Sequence, residues 1–404
     1  MRIKDFAALR PAAELAAEVA SPPYDVIDSA EARALAGANA KSFLHIIKPE
    51  IDLPEGTDLY SDAVYDMAKS NFERFQAEGW LVRDAEPNLY VYQQEAGAHK
   101  QIGVVCTCHI DDYTNGIIKK HEFTLKKKED DRTRHVKTLM ANAGPVFLTY
   151  RDDAAIDALI TDICAGEPVV DLTDEQGVRH TAWRAPDAAA LKAAFGEVAE
   201  AYVADGHHRS ASAVRVGAES AAANASHDGS EGYNWYLCVL FPADQLQVLA
   251  YNRLVADLNG QTPEAFLAAL GESFEIAPGT PAPERQGVIS MYFQGAWHAL
   301  TPNNVPDDPV GKLDVSICQH QILTPLLGID DPKTNPRISF KGGQGSTDIL
   351  QARVDSGAVA VAFSLFPTGI RDMMDVADIG EVMPPKSTWF EPKLRSGLFV
   401  NLLD

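Results

Sequence analysis

Apolar and polar positions along this chain switch repeatedly between a helical period and a two-residue period, which predicts mixed α and β structure. Residues 60–76 keep helical spacing through Tyr60, Val64, Met67 and Phe72, and Gly79 closes the pattern. Residues 88–94 and 101–110 read as a pair of strands, and the apolar run 42–47 as a short one. A helix is expected over 125–142, with Thr124 as N-cap and Gly144-Pro145 as its stop. Strand and helix patterns then alternate through 145–150, 154–165, 169–172, 179–184, 187–198 and 201–204. Residues 233–242 and 246–251 resemble buried strands, and 262–274 and 348–354 resemble helices. The chain is therefore expected in the α/β (α+β) class with mixed sheets, organised as regions 1–110, 111–260 and 261–404.

The most informative junction between two such patterns is Tyr202-Val203-Ala204-Asp205-Gly206-His207-His208-Arg209-Ser210-Ala211. A glycine here lets the backbone turn where a side chain would obstruct it. If a helix starts at His207, its free N–H groups and its dipole favour an anion in front of them. Arg209 adds a planar fork matched to phosphate or carboxylate oxygens. The plainer alternative is that Asp205 caps the helix and the histidines are solvated. Adjacent His207 and His208 point about a hundred degrees apart on a helix, so they suit a structural zinc site poorly. Mg²⁺ held by one carboxylate and substrate phosphates suits Asp205 better.

Charge narrows the partner. With 35 Lys plus Arg against 57 Asp plus Glu, the formal charge is −22, which argues against a nucleic-acid partner. The basic residues are nonetheless concentrated: Lys119, Lys120, Lys126, Lys127, Lys128, Arg132, Arg134 and Lys137, with His121 and His135, fall in one short block. One basic block in an acidic chain suggests a small anionic ligand. No apolar run reaches about eighteen residues, and Asp5, Arg10 and Glu14 interrupt the start, so neither a membrane span nor a secretory leader is expected. Five scattered cysteines fit reduced thiols and a cytoplasmic location.

Other constellations stay open on the residues alone. Glu122 reads as a general base beside cations or as a first-turn glutamate favoured by the helix dipole. Arg132, Arg134, His135 and Lys137 read equally as a phosphate clamp or as a solvated face laced with ion pairs. Lys128, Arg132 and His135 share one helix face, but all of these cations cannot converge. Lys341-Gly342-Gly343-Gln344-Gly345-Ser346-Thr347 reads as a glycine-rich phosphate cradle or as an ordinary strand-to-helix turn. Lys386 either reaches a shared site or sits in a segment docked by Trp389 and Phe390.

Three separated segments, Pro22-Pro23-Tyr24-Asp25-Val26, Ala204-Asp205-Gly206-His207-His208-Arg209 and Pro384-Pro385-Lys386-Ser387-Thr388-Trp389-Phe390, together resemble a widespread bacterial family over nearly the whole chain. The middle segment is also similar to the free serine kinases of the ParB/sulfiredoxin-like superfamily. That resemblance implies a ParB/sulfiredoxin-like catalytic core and transfer of a phosphoryl group to the hydroxyl of free L-serine. Pyrophosphate is the favoured donor, with ADP or ATP as alternatives. Gly206, His207, His208 and Arg209 would hold the donor, and Arg132, Arg134, His135, Lys137, Lys341 and Lys386 would neutralise it. Asp205 would bind Mg²⁺ or orient the serine hydroxyl, and Glu122 would be the general base. Tyr24, Asp25 and Ser42 would form the amino-acid pocket. The competing class is a non-catalytic ParB-like module that binds nucleotide or nucleic acid.

Overall fold

The apolar strands of the first 250 residues pair into one nine-stranded mixed sheet. Its order is Ile118–Lys119, Ala201–Asp205, Val146–Tyr150, Trp235–Pro242, His99–His109, Leu89–Ala96, Arg179–Ala185 and Val170–Thr173, with Ile3–Lys4 also on His99–His109. The computed structural model describes residues 1–403 and places this sheet in the first of two units. That unit comprises Met1–Lys119, Thr124–Leu246 and the end of the chain from Pro392. Leu89–Ala96 and His99–His109 form the long central hairpin. Ala201–Asp205 runs antiparallel to Val146–Tyr150 and parallel to Ile118–Lys119.

Both faces of the sheet are covered, so its central strands are buried along most of their length. Tyr150 meets Phe195 edge-on with ring centroids 5.1 Å apart, and both are fully buried. The helix His207–Ala223 packs through Gly217, where an added Cβ would lie 2.6 Å from Ile110 Cδ1 and 2.7 Å from the Tyr233 carbonyl oxygen. The basic helix Lys126–Leu139 lies beside it. Arg215 pairs with Asp130 and Glu219, and Lys137 with Glu219, which ties the two helices together.

The second unit comprises Lys120–Phe123 and Gln247–Glu391. Its six strands are all antiparallel, in the order Phe274–Pro278, Ala296–Pro302, Ile289–Phe293, Val361–Ser364, Tyr251–Val255 and Ile338–Gly342. No described helix is long and apolar enough to cross a membrane.

Three local expectations are corrected. The run 42–47 is not a strand: Leu44–Ile47 is a helical turn whose Leu44, Ile46 and Ile47 are buried, and a short apolar run is compatible with either form. Thr124 does not cap the basic helix. Leu125 is the N-cap, the Thr124 hydroxyl donates to Glu129, and the Leu125 N–H donates to His208 Nε2 at 3.0 Å. The stretch 246–251 is broken into Val248–Leu249, which pairs with Trp389–Phe390, and the start of Tyr251–Val255.

The close approach at Gly217 reverses the usual sign of a glycine substitution. Gly217→Ala is expected to cost about 1–3 kcal/mol, seen as a lower urea midpoint, because a backbone carbonyl cannot move aside. In an open helix the same change gains about 1 kcal/mol. A raised midpoint would show that the contact yields.

Candidate anion site at the strand-to-helix turn

Strand Ala201–Asp205 is buried through Ala204 and delivers Asp205 to its end. The register against Val146–Tyr150 shifts between Val203 and Asp205, so one extra residue re-aims the carboxylate. Gly206 follows with φ 95° and ψ 32°, a left-handed conformation, and it is the N-cap of His207–Ala223 without a side-chain cap. The first intrahelical bond is Ser210 N–H to the Gly206 carbonyl at 2.9 Å, so the preceding N–H groups lie outside the helical ladder. A Cβ on Gly206 would stand 2.9 Å from Arg209 Nε and 3.1 Å from its Cζ. Glycine is therefore required twice, for the backbone and for the guanidinium that folds over it.

Arg209 is nearly buried and joins three parts of the first unit. Its Nη1 donates to the Pro145 carbonyl, and its Nη2 stands 3.1 Å from Asp205 Oδ2 and 3.6 Å from Asp25 Oδ2. Among the described residues, Arg209 Nε is buried without a hydrogen-bond partner. Burial alone would lower the Arg209 pKa, but Asp25 and then Asp205 outweigh it and raise the value, so the charge is permanent. Lys393, from the chain end, stands 3.7 Å from the same Asp205 oxygen.

The basic helix contributes one face. Lys128, Arg132 and His135 line a cleft, as their i, i+4 and i, i+3 spacing allows. The Arg132 guanidinium lies 4.2 Å from the Tyr24 ring centroid and is held by Asp131 at 2.7 Å. Burial, then the Asp25 charge, pushes the Tyr24 phenol well above its usual pKa despite Arg132 and Arg209. His135 Nε2 donates to the Ile46 carbonyl at 2.9 Å, which fixes its tautomer, and burial followed by Arg132 lowers its pKa. The other two members of the basic set go elsewhere. Arg134 pairs with Asp62 and lies over Tyr65, and Lys137 pairs with Glu219.

Two hollows meet at Tyr24, Ile47, Arg132 and His135. A narrow pocket of about 40 Å³ lies toward Gly144, Arg209, Ser212 and Ser396. An open cleft of about 260 Å³ extends past Asp25, Lys48, Glu50, Lys128 and His208. Lys48 and Glu50 pair at 2.9 Å, and the Ser29 hydroxyl donates to Glu50 at 2.7 Å. Ser42 is buried and its hydroxyl accepts the Leu44 N–H at 3.4 Å, so it serves the local helical turn and is not among the lining residues. Sequence reasoning missed Lys48, Glu50, Lys393 and Ser396. All four sit in ordinary charged or loop stretches, and only chain folding brings them to the site.

The remaining candidates belong to the second unit. Glu122 lies in Lys120–Phe123, next to His121, whose carbonyl accepts the Met383 N–H at 2.9 Å. Lys341 is exposed at the end of strand Ile338–Gly342, whose Gly342 is covered by the Trp389 ring. Lys386 has a positive φ of 61°, and its Nζ lies 5.2 Å from the Tyr251 ring centroid. Among the described residues no group of three or more His, Cys, Asp or Glu could hold a metal ion by itself. Asp205 and Asp25, neighbours across one guanidinium nitrogen, fit the sparser mode in which one or two carboxylates share Mg²⁺ with substrate phosphates.

No curated protein matches this chain. Matching solved structures include a conserved hypothetical protein from Pyrococcus furiosus, 14% identical, covering 74% of this chain and 95% of that one with a TM-score of 0.38. A free serine kinase in complex with AMP is 14% identical and covers 73% and 92%, with a TM-score of 0.40. SbnI with C-terminal truncation from Staphylococcus aureus is 11% identical and covers 74% and 87%, with a TM-score of 0.41. A family model covers residues 3–316, and the chain belongs to that family, described as "Protein of unknown function (DUF1015)".

Proposed function

We propose that this chain is a phosphotransferase that moves a phosphoryl group from pyrophosphate to the hydroxyl of free L-serine. The observation that carries the reading is the turn itself: a left-handed Gly206 at a helix N-terminus, with the buried Nε–H of Arg209 lacking a partner. A buried N–H without a partner costs about 1–3 kcal/mol, and a phosphate oxygen would supply the missing acceptor. The similarity of Asp205-Gly206-His207-His208-Arg209 to the turn of the free serine kinases points the same way.

A free amino acid carries one charge of each sign. The cleft wall carries both signs, Asp25, the Lys48–Glu50 pair and Lys128, and so offers partners to an ammonium and to a carboxylate. In the reaction the serine Oγ attacks one phosphorus, the bond to the bridging oxygen breaks, and orthophosphate leaves. Such transfer asks the protein mainly to position the reactants and to stabilise charge. Gly206, His207, His208 and Arg209 hold the donor, and Arg132 and His135 line its approach. Asp205 orients the hydroxyl or holds Mg²⁺, with Asp25 beside it. The proton of the attacking hydroxyl would leave on the orthophosphate. The ion would neutralise donor charge.

The test is product formation. Incubation with L-serine, Mg²⁺ and pyrophosphate should yield O-phosphoserine and orthophosphate, with ADP and ATP as parallel donors. Product from a nucleotide alone would replace the donor, and no phosphoserine with any of the three would remove the kinase reading. In the same assay Arg132→Ala should lose about tenfold or more, as expected for a charge-assisted contact, while Arg134→Ala stays within about twofold.

His135 generates a second prediction. Burial, then Arg132, lowers its pKa to about 4, against the smaller opposing effects of Ile46, Asp131 and Glu50. The native ring is neutral, whereas the unfolded chain takes up a proton near pH 6.5. The unfolded state thus binds more protons between those values, and stability is complete above pH 6.5 and falls toward pH 4. The loss assigned to His135 is about 3 kcal/mol. Denaturation of wild type and His135→Gln across that window should show a steeper fall for the wild type; parallel curves would contradict the assignment.

A further inference from the structure

We infer that Lys393 is a donor-phosphate ligand, delivered to the turn by the C-terminal strap; this deepens the proposed function and rests on it. Lys393 lies beyond residue 316, where the family match ends, in the short run Glu391-Pro392-Lys393-Leu394-Arg395-Ser396. Its ammonium stands 3.7 Å from Asp205 Oδ2, on the same carboxylate oxygen that Arg209 holds at 3.1 Å. At that distance the Lys393 ammonium is attracted to Asp205. A polyphosphate brings several oxygens of higher charge and would draw the Lys393 ammonium and the Arg209 guanidinium toward it. Asp205 would then be left to the Mg²⁺ that accompanies the donor.

The backbone around Lys393 is held in a way that a solvated lysine does not require. Its carbonyl accepts from Gln94 Nε2 at 2.9 Å, and the buried Gln94 is itself oriented by Gln101 at 2.9 Å. Two residues on, Arg395 grips Glu175 with both terminal nitrogens at 2.9 and 2.8 Å and reaches Asp174 at 3.4 Å. Ser396 then exchanges backbone hydrogen bonds with Ser21, at 2.9 and 3.0 Å, immediately before Pro22-Pro23-Tyr24-Asp25. The strap is thereby fixed on both sides of Lys393, and Ser396 lines the narrow pocket beside Arg209. A flexible side chain on a rigid mount beside an anion-seeking turn is suited to bind a phosphate oxygen as a point charge.

The experiment measures binding separately from turnover. Calorimetric titration of the full chain with pyrophosphate in the presence of Mg²⁺ gives donor affinity for wild type, Lys393→Ala and Lys393→Arg, alongside thermal midpoints and the serine KM. Lys393→Ala should weaken pyrophosphate binding about tenfold or more, with an unchanged midpoint and a serine KM within about twofold. Lys393→Arg should recover most of the affinity, because it restores the charge at the same place. Unchanged pyrophosphate affinity in a folded Lys393→Ala would overturn the inference, as would a wild type that binds no pyrophosphate. Binding that depends on Lys393 without any phosphoserine product supports this assignment while removing the serine reading.

Discussion

The site depends on one guanidinium. Arg209 receives Asp25 from the N-terminal segment, Asp205 from the end of a strand and the Pro145 carbonyl from the loop that opens the next strand. Those parts are far apart in sequence. Removing a buried charge from such a set leaves its partners uncompensated, which typically costs about 3–5 kcal/mol. Gly206 is part of the same constraint, since any side chain there would occupy the space of Arg209 Nε.

A closed network of this kind would ordinarily satisfy every polar atom. This one does not, because Arg209 Nε is buried and lacks an acceptor. A donor that arrives with Mg²⁺ would bring a partner for the carboxylates Asp205 and Asp25, while its phosphates meet Arg209 and Lys393. The basic helix supplies a further wall through Arg132 and His135, while its other cations hold it in place. Arg134 and Lys137 are spent on Asp62 and Glu219.

Much of the scaffold was legible in the sequence because long periodic segments declare themselves. The 60–76 pattern corresponds to helix Asp62–Ala77, and the 88–94 and 101–110 runs to the central hairpin. The shared face of Lys128, Arg132 and His135 followed from helical spacing alone. Short signals failed where two forms fit the same residues, as at Leu44–Ile47, or where a distant group did a local job, as when His208 accepts the Leu125 N–H at the start of the basic helix. The strap was illegible for a different reason. Lys393, Arg395 and Ser396 carry no spacing signature, and their meaning comes from partners at Asp205, Glu175 and Ser21.

The most direct measurement is a crystal structure of the full chain grown with Mg²⁺ and methylenediphosphonate, a diphosphate analogue whose bridge cannot be cleaved. The diphosphonate is expected over Gly206, with one oxygen accepting from Arg209 Nε and another within hydrogen-bond distance of Lys393. A diphosphonate bound away from the turn, with Arg209 Nε still lacking an acceptor, would contradict it.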